Sequence, residues 1–289
     1  MEESELARAQ VAALSVAASL DLPADDAVVL FNSNKLALRL EPCDVLARVT
    51  RTGLGGEARL ELDRARRLDA AGCPVGAVLP GVAPLVYEHG GFAVTLWAYY
   101  DPASCPVSAE GYAAALTQLH AGMRTVDLIS PRFTDRIAEA QHVAADPERS
   151  PDLARVDRAL LIDRFAAIRQ TIGEFDAPEQ LLHGEPHPGN VLGTRRGPVF
   201  IDFETLCRGP VEFDLAHVPE EVCEHYPGIN RELLALCRQL VLAMVAAWRW
   251  DVGDEFPNRQ YWRYALLHAL REGLPWPTPD PTSDRLPSS

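Results

Sequence analysis

The segment from His183 to Asn190 and the hairpin after it carry oxygen-bearing side chains at a spacing suited to one reaction. Glu185 provides a carboxylate within the loop H-G-E-P-H-P-G-N, Asn190 provides an amide five residues later, and Asp202 provides a second carboxylate. In-line phosphoryl transfer needs a carboxylate to orient the acceptor hydroxyl and oxygen ligands to hold magnesium on a nucleotide. The spacing therefore predicts Glu185 as the catalytic base and Asn190 and Asp202 as magnesium ligands.

The base position itself is unusual, because the protein-kinase loop H-R-D-x-x-x-x-N has aspartate where this chain has Glu185. The extra methylene moves the carboxylate by roughly 1.3 Å. A misplacement of about 1 Å can cost about a hundredfold in rate. Either the loop compensates for the longer side chain, or the enzyme is slow, or phosphate transfer is not its task.

Composition narrows the class of protein. The 289 residues are 47% apolar, which suits one or two domains with a sizeable core. The net charge of −14 is spread along the chain, which disfavours binding to nucleic acid or acidic membranes and is compatible with a cationic small-molecule substrate. Lys35 is the single lysine, so a role that requires lysine falls to Lys35 or passes to an arginine.

The cysteines and the apolar segments predict a cytoplasmic protein. None of the six cysteines forms a C-x-x-C pair, so we expect buried free thiols in a reducing compartment. The acidic N-terminus lacks a signal-peptide charge pattern. The most apolar run, Leu233 to Trp248, contains Arg238 and Gln239 and is predicted to be a core helix.

Hydrophobic periodicity and turn residues predict a small sheet followed by helices. Strands are predicted at 28–31, 36–40, 45–49, 84–88, 92–97, 191–192 and 199–201, with a turn at 32–34. Helices are predicted at 4–20, 57–71, 108–123, 135–145, 153–172, 231–250 and 260–270. This order predicts an α+β fold of two lobes with a cleft between them. The predicted divisions are a nucleotide-binding lobe at 1–98, a helical lobe with the catalytic loop at 99–274, and a disordered tail at 275–289.

The motifs H-G-E-P-H-P-G-N-V-L, V-F-I-D-F-E and G-P-V-E-F-D-L-A together resemble the aminoglycoside phosphotransferase and choline kinase family, which has a protein-kinase-like fold. The resemblance implies transfer of the γ-phosphate of ATP or GTP, with Mg²⁺, to a hydroxyl of a small molecule. It places Glu185 at the base position and Asn190 and Asp202 at the metal positions. His183 and His187 match the two loop histidines, and Asp214 matches a structural aspartate that supports the loop.

The resemblance extends, more weakly, into the first half of the chain. Glu61 matches the helix glutamate that pairs with a lysine on the third strand, and this chain has Arg48 at that basic position. The hinge that meets adenine corresponds to Trp97 through Tyr99. The loop before Lys35 is not glycine-rich, and we expect Lys35 to contact phosphates.

Several alternatives remain open from the sequence. His183, Glu185 and His187 alternate and could bind zinc, and Glu204 could contact substrate or be structural. Trp248 and Trp250 could line the cleft, and Asp251, Asp254 and Glu255 could form a patch that faces a cation. The alternative function is a pseudokinase-like module that binds a nucleotide or metabolite without efficient transfer. Substrate identity and oligomeric state are not encoded in any of these motifs.

Overall fold

The computed structural model describes residues 1–32, 35–101, 105–256 and 258–277. The chain forms two compact units. The first contains Met1–Leu128 and Val191–Glu204, and the second contains Ile129–Asn190 together with the chain from Thr205 onward. Each unit has its own β-strands and its own hydrophobic core.

The described residues contain helices and strands in a mixed α and β arrangement. The helices are α1 (Glu3–Ser19), α2 (Gly55–Ala70), α3 (Ala109–Met123), α4 (Phe133–Ala145), α5 (Arg155–Ile172), α6 (Val211–Leu215), α7 (Glu220–His225), α8 (Arg231–Trp248) and α9 (Arg259–Glu272). The strands are β1 (Ala24–Asn32), β2 (Leu36–Pro42), β3 (Val45–Arg51), β4 (Tyr87–His89), β5 (Phe92–Ala98), β6 (Gln180–Leu182), β7 (Val191–Thr194), β8 (Gly197–Phe200) and β9 (Cys207–Gly209). Single turns of 3-10 helix precede α2 and β7.

The first unit is built on a five-stranded antiparallel sheet in the order β1-β2-β3-β5-β4. The strands predicted at 28–31, 36–40 and 45–49 are confirmed as β1, β2 and β3, whereas β4 is shorter than the strand predicted at 84–88. Strands β2 and β3 alternate buried and half-buried side chains, as a strand with one face on a core does. The buried face packs with α1 into one apolar cluster. Arg48 lies on β3 in the middle of the sheet, where the strands on both sides fix its backbone.

The hairpin β7–β8 also belongs to the first unit. The Gly76 N–H donates to the Phe200 carbonyl and the Phe200 N–H donates to the Pro74 carbonyl, both at 2.8 Å. The ring of Phe200 contacts Tyr112 of α3, with 5.9 Å between the ring centroids. The compact units therefore divide the chain differently from the predicted lobes, since α3 and this hairpin join the first unit through their packing.

The second unit is mainly helical. Helices α4, α5, α8 and α9 share one large apolar cluster that includes Phe165, Phe213 and Leu240. Two three-residue strands, β6 and β9, pair antiparallel within this unit. Neither strand was predicted from the sequence, because segments of three residues are too short to show a repeating pattern.

The predicted core helix at 233–248 is confirmed as part of α8, with Leu240 and Ala243 fully buried. In the described part of the chain, no helix combines the length and apolar character needed to cross a membrane. Four cysteines are buried as predicted, whereas Cys105 is exposed. The predicted turn residues 33 and 34 and the tail from 278 onward lie outside the described residues.

The packing of α5 gives a direct test of the second unit's core. Phe165 is fully buried, whereas Ile162 on the same helix is 39% exposed. We expect Phe165→Ala to lower the free energy of unfolding of this unit by about 3–5 kcal/mol, because it leaves a cavity among tightly packed side chains. Ile162→Ala is the matched control and should cost under about 1.5 kcal/mol. Denaturant titration followed by circular dichroism measures both, and equal losses would contradict the assignment of Phe165 to the core.

Candidate active site

The loop from His183 to Asn190 is held by a buried carboxylate in the second unit. The His183 N–H donates to Asp214 Oδ2 and the Gly184 N–H donates to Asp214 Oδ1, each at 2.8 Å. Asp214 is fully buried on α6, and hydrogen bonds from backbone N–H groups are what stabilise a charge in such a place. These bonds fix the backbone immediately before Glu185.

Gly184 fits a position that other residues cannot occupy. Its φ is +92°, and a Cβ built on it would overlap the Thr205 carbonyl. The loop and the chain after β8 therefore approach each other closely at this point. Glycine is required here both by the backbone conformation and by the contact.

Glu185 is bound by an arginine from α4. Arg136 Nη2 donates to Glu185 Oε1, and Arg136 Nη1 donates to the Gly184 carbonyl at 3.0 Å. Burial raises the pKa of Glu185, but Arg136 and, to a lesser extent, His217 and His187 outweigh burial, so that the pKa is lowered overall. Glu185 is thus an anion at neutral pH and can accept a hydrogen bond from a hydroxyl.

Asn190 is oriented by the same loop. Its Nδ2 donates to the Glu185 carbonyl at 3.0 Å and lies 3.3 Å from His187 Nε2, while the Gly189 N–H donates to His187 Nδ1 at 3.1 Å. These contacts within the loop involve the amide nitrogen of Asn190 and not its amide oxygen. The oxygen is the atom that a hard cation requires.

The zinc alternative is not supported. His183 is fully buried, and its Nδ1 accepts the Glu185 N–H at 3.4 Å. Within the described ranges, the one group of His, Cys, Asp and Glu side chains close enough to share a metal ion consists of Glu61, Asp202 and Glu204. That group belongs to the first unit and contains no histidine.

In the first unit, Glu61 of α2 accepts hydrogen bonds from two cationic side chains. Lys35 Nζ donates to Glu61 Oε2 at 2.7 Å, and Arg48 Nη1 donates to Glu61 Oε1. Lys35 also forms an ion pair with Glu204. Burial lowers the pKa of Arg48, but the carboxylates of Glu61 and Asp202 outweigh burial and the pKa is raised overall. The predicted pairing of Glu61 with Arg48 is present, and Lys35 shares the same carboxylate.

Asp202 lies just after β8 in a conformation that few aspartates adopt. Its φ is +67°, and its Oδ1 is buried with no hydrogen-bond partner among the described residues. Carboxylate oxygens of Glu61, Asp202 and Glu204 lie within 4.8 Å of one another. Burial raises the pKa of Glu204, and Lys35 only partly opposes this. An unpaired buried carboxylate oxygen among other carboxylates fits a divalent cation with oxygen ligands, such as Mg²⁺.

Arg64 is a residue of this site that the sequence analysis missed. Its Nη1 donates to the carbonyls of Phe203 at 2.6 Å and Glu204 at 2.9 Å. Arg64 is 5% exposed and lies one turn after Glu61 on α2. The spacing of three residues places both side chains on one helix face, but it does not identify the carbonyls that Arg64 contacts.

The predicted hinge residues differ in their surroundings. Trp97 is buried in β5, and the following Ala98 N–H donates to the Ala77 carbonyl at 2.9 Å, so this stretch of backbone is already bonded. Tyr99 lies beyond the strand, and the guanidinium of Arg39 lies 4.5 Å from the centre of its ring. Adenine contact at these residues stays a prediction.

The predicted acidic patch in the second unit is not a set of unpaired charges. Asp251 forms an ion pair with Arg149, and Asp254 pairs with Arg249 at 3.2 Å, while Glu255 is exposed. Asp251 and Asp254 are thus paired with arginines of the same unit, although Asp254 Oδ2 is buried without a hydrogen-bond partner among the described residues. A cation-facing patch at these acids stays a prediction.

Trp248 and the half-buried His217 of the second unit lie close to the groups around Glu185. The Arg136 guanidinium lies 5.5 Å from the centre of a Trp248 ring, whereas Trp250 is buried. Burial lowers the pKa of His217 to about 4, so this imidazole is neutral at neutral pH. Arg136 and His217 were both missed by the sequence analysis, since no local motif marks either.

The chain is a mixed α and β protein with a small antiparallel sheet, and its fold is protein-kinase-like. The sequence matches the model of the phosphotransferase enzyme family (APH) over residues 26–249, and the chain belongs to this family. Among curated proteins, none matches this sequence.

Solved structures support the same fold. An amicoumacin kinase, hAmiN, in complex with AMP-PNP, Ca²⁺ and Ami is similar with a TM-score of 0.68 and 11% identity, covering 95% of this chain and 97% of that chain. A choline/ethanolamine kinase family protein from Mesorhizobium loti has a TM-score of 0.67 and 17% identity, with coverage of 93% and 94%. The GDP and kanamycin complex of APH(2")-IIia has a TM-score of 0.67 and 14% identity, with coverage of 90% and 97%.

The clash at Gly184 can be tested against a second glycine of the same unit. Gly228 also has a positive φ, +73°, but a Cβ there meets no atom within 4 Å. We expect Gly228→Ala to cost about 1–2 kcal/mol of stability from backbone strain alone, and Gly184→Ala to cost clearly more because the loop must also move. Thermal unfolding by calorimetry compares the two variants. A similar loss in both would show that the contact with Thr205 is not a constraint.

Proposed function

We propose that this phosphotransferase is a small-molecule kinase that transfers the γ-phosphate of ATP or GTP to a hydroxyl group with the help of Mg²⁺. Membership of the family supports a phosphotransferase. The nucleotide, the metal and the hydroxyl acceptor are our proposal. The observation that carries it is Asp202, whose buried Oδ1 has no partner among the described residues and lies close to the carboxylates of Glu61 and Glu204.

The first unit supplies groups for the metal and the phosphates. We assign Asp202, with Glu204, to the metal. When bound, magnesium would neutralise charge that develops on the transferring phosphate. Lys35 contacts a phosphate oxygen, and Glu61 holds Lys35 and Arg48 in place for this purpose. The ion pairs of Lys35 with Glu61 and Glu204 support this assignment, since they place the ammonium beside the proposed metal ligands.

The second unit supplies the groups for the acceptor. Glu185, ionised at neutral pH, accepts a hydrogen bond from the attacking hydroxyl and takes up its proton as the new P–O bond forms. The bond from the γ-phosphorus to the β,γ-bridging oxygen breaks, and the nucleoside diphosphate leaves. Asn190 is proposed as a further metal ligand through its amide oxygen. Asp214 holds the loop that carries both residues, as its bonds to the loop backbone suggest.

The acceptor is proposed to be a small hydroxyl compound, with an aminoglycoside-like molecule as one class to test. The neighbours were solved with kanamycin and GDP in one case and with AMP-PNP in another. The pairing of Asp251 and Asp254 with arginines makes a highly cationic acceptor less favourable than the net charge of the chain suggests. The cytoplasmic location and the absence of nucleic-acid partners stay predictions from the sequence.

One observation favours the second candidate, a nucleotide-binding module without efficient transfer. Arg136 occupies a carboxylate oxygen of Glu185, the residue that would act as base. Under this hypothesis the protein binds nucleotide to saturation, and no acceptor in a broad panel of alcohols is phosphorylated. A single efficient acceptor, detected by transfer of radiolabelled phosphate, would exclude it.

The role of Asp202 is tested by nucleotide titration. We expect Mg²⁺ to strengthen binding of a fluorescent ATP or GTP analogue to the wild-type protein, and Asp202→Ala to reduce that gain by at least about tenfold, the scale of losing a metal-supporting group. Glu57→Ala removes an exposed acid of the same unit and serves as the control. Wild-type binding that does not respond to Mg²⁺, together with an unaltered Asp202→Ala variant, would defeat the proposed function.

Lys35 offers a second test, because it is the single lysine of the chain. An acyl-phosphate derivative of ATP transfers its acyl group to an amine close to the bound phosphates, with release of ATP. We expect mass spectrometry to find one acyl group on Lys35, less labelling when excess Mg·ATP competes, and none at this position in Lys35→Arg. Labelling confined to the amine of Met1, with no protection by nucleotide, would show that Lys35 does not contact phosphate.

A further inference from the structure

Arg136 of α4 binds two consecutive residues of the loop with one guanidinium. Nη2 donates to the side chain of Glu185, and Nη1 donates to the carbonyl of Gly184 at 3.0 Å. The side chain of Arg136 is 13% exposed, and Trp248 lies against its guanidinium at 5.5 Å. Arg136 is therefore confined by a helix, a loop and an aromatic ring. Because it bonds both oxygens, it fixes the Glu185 carboxylate relative to the Gly184 carbonyl of the loop backbone.

This contact bears on the extra methylene of Glu185. A glutamate that extends freely from the loop would place its carboxylate roughly 1.3 Å beyond that of an aspartate. Because Arg136 bonds both the Glu185 carboxylate and the preceding Gly184 carbonyl, it restricts how far the carboxylate can lie from that carbonyl. A planar fork with two fixed N–H directions can do this, whereas a lysine with one nitrogen cannot bond both oxygens with the same geometry.

We propose that Arg136 is a positioning residue, which holds the longer carboxylate of Glu185 where a hydroxyl can reach it and so compensates for the replacement of aspartate. The inference rests on the proposed function of Glu185 as the base. It assigns Arg136 no contact with substrate or nucleotide. Glu185 and Arg136 act as a pair, so that changing either residue alone misplaces the carboxylate.

The other polar groups near Glu185 do not duplicate this role. His217 is neutral at neutral pH, since burial lowers its pKa to about 4, and Arg249 is paired with Asp254. His187 accepts the Gly189 N–H through Nδ1 and so contributes to the backbone of the loop. Among the described residues, Arg136 is the charged side chain that hydrogen-bonds to the Glu185 carboxylate.

The experiment compares Arg136→Met and Arg136→Lys with Arg169→Met. Arg169 is an exposed residue of α5 that donates to Gln141 of α4, so its variant controls for a general disturbance of that helix. The assay is phosphate transfer to the acceptor found in the panel, or hydrolysis of Mg·ATP or Mg·GTP by water. We expect Arg136→Met to lower kcat by about 10- to 100-fold, the scale of a 1 Å misplacement, with little change in KM for nucleotide. Arg136→Lys should recover part of the loss.

The second part combines Arg136→Met with Glu185→Asp. We expect Glu185→Asp alone to lower kcat, because Arg136 then holds a carboxylate that is too short. The double variant should be no slower than the slower single variant, since the two residues act together. Losses that multiply, an Arg136→Met variant as active as Arg169→Met, or a rise in kcat when Arg136 is removed would each overturn the inference.

A crystal structure of Arg136→Met separates this inference from the proposed function. We expect the Glu185 carboxylate to leave its wild-type position while the backbone of the loop, held by Asp214, stays in place. An unmoved carboxylate would refute the positioning role even if the enzyme is active. Conversely, a wild-type protein that neither binds nor turns over Mg·ATP or Mg·GTP would defeat the proposed function, and with it the catalytic meaning of the Arg136 contact.

Discussion

The buried carboxylate of Asp214 is the constraint on which the candidate site depends. A charge that is fully removed from water is tolerated only when hydrogen-bond donors surround it. The N–H groups of His183 and Gly184 provide two such donors, and they can point at one carboxylate only when the chain turns at Gly184 with a positive φ. The direction in which Glu185 leaves the backbone follows from this turn. The loop geometry is thus a consequence of satisfying one buried charge.

The first unit also contains a buried carboxylate, and cationic side chains stabilise it. Glu61 is 3% exposed and accepts hydrogen bonds from both Lys35 and Arg48, so two cations share one buried carboxylate. In the family pattern a lysine of the third strand provides this partner. Here the strand carries arginine, whose guanidinium also lies 5.9 Å from the centre of the Trp97 ring. The compact ammonium comes instead from Lys35, next to the start of β2. A planar guanidinium and a compact ammonium bind carboxylates and phosphates with different geometry, and this chain has one of each beside Glu61.

Much of the fold was predictable because strong local patterns determine it. The alternation in β2 and β3, the cap at Ser108 and the long apolar face of α8 are all visible in sequence, and each corresponds to an observed element. The roles of Glu185 and Asn190 in the loop motif and of Asp202 after the hairpin stay predictions. Contacts between distant segments were not predictable. Arg136 lies 49 residues before Glu185 and Arg64 lies 139 residues before Phe203, and an arginine on an amphipathic helix has the same appearance whether it faces water or a buried carbonyl. The strands β6 and β9 were missed for a related reason, since their pairing, and not their composition, defines them.

The ion pairs of the second unit also bear on the acceptor of the proposed kinase. A polycationic acceptor gains most where carboxylates are unpaired, because each ammonium then meets a charge without displacing another. Asp251 and Asp254 are already matched by Arg149 and Arg249, and Glu185 is matched by Arg136. Binding several ammonium groups at these carboxylates would require breaking those pairs and leaving arginines partly buried without partners. The guanidinium of Arg249 already has two buried nitrogens, Nε and Nη1, without a hydrogen-bond partner among the described residues, so it has little capacity to lose another. An acceptor that presents hydroxyl groups with few positive charges therefore agrees better with this set of side chains than the acidic composition of the whole chain implies.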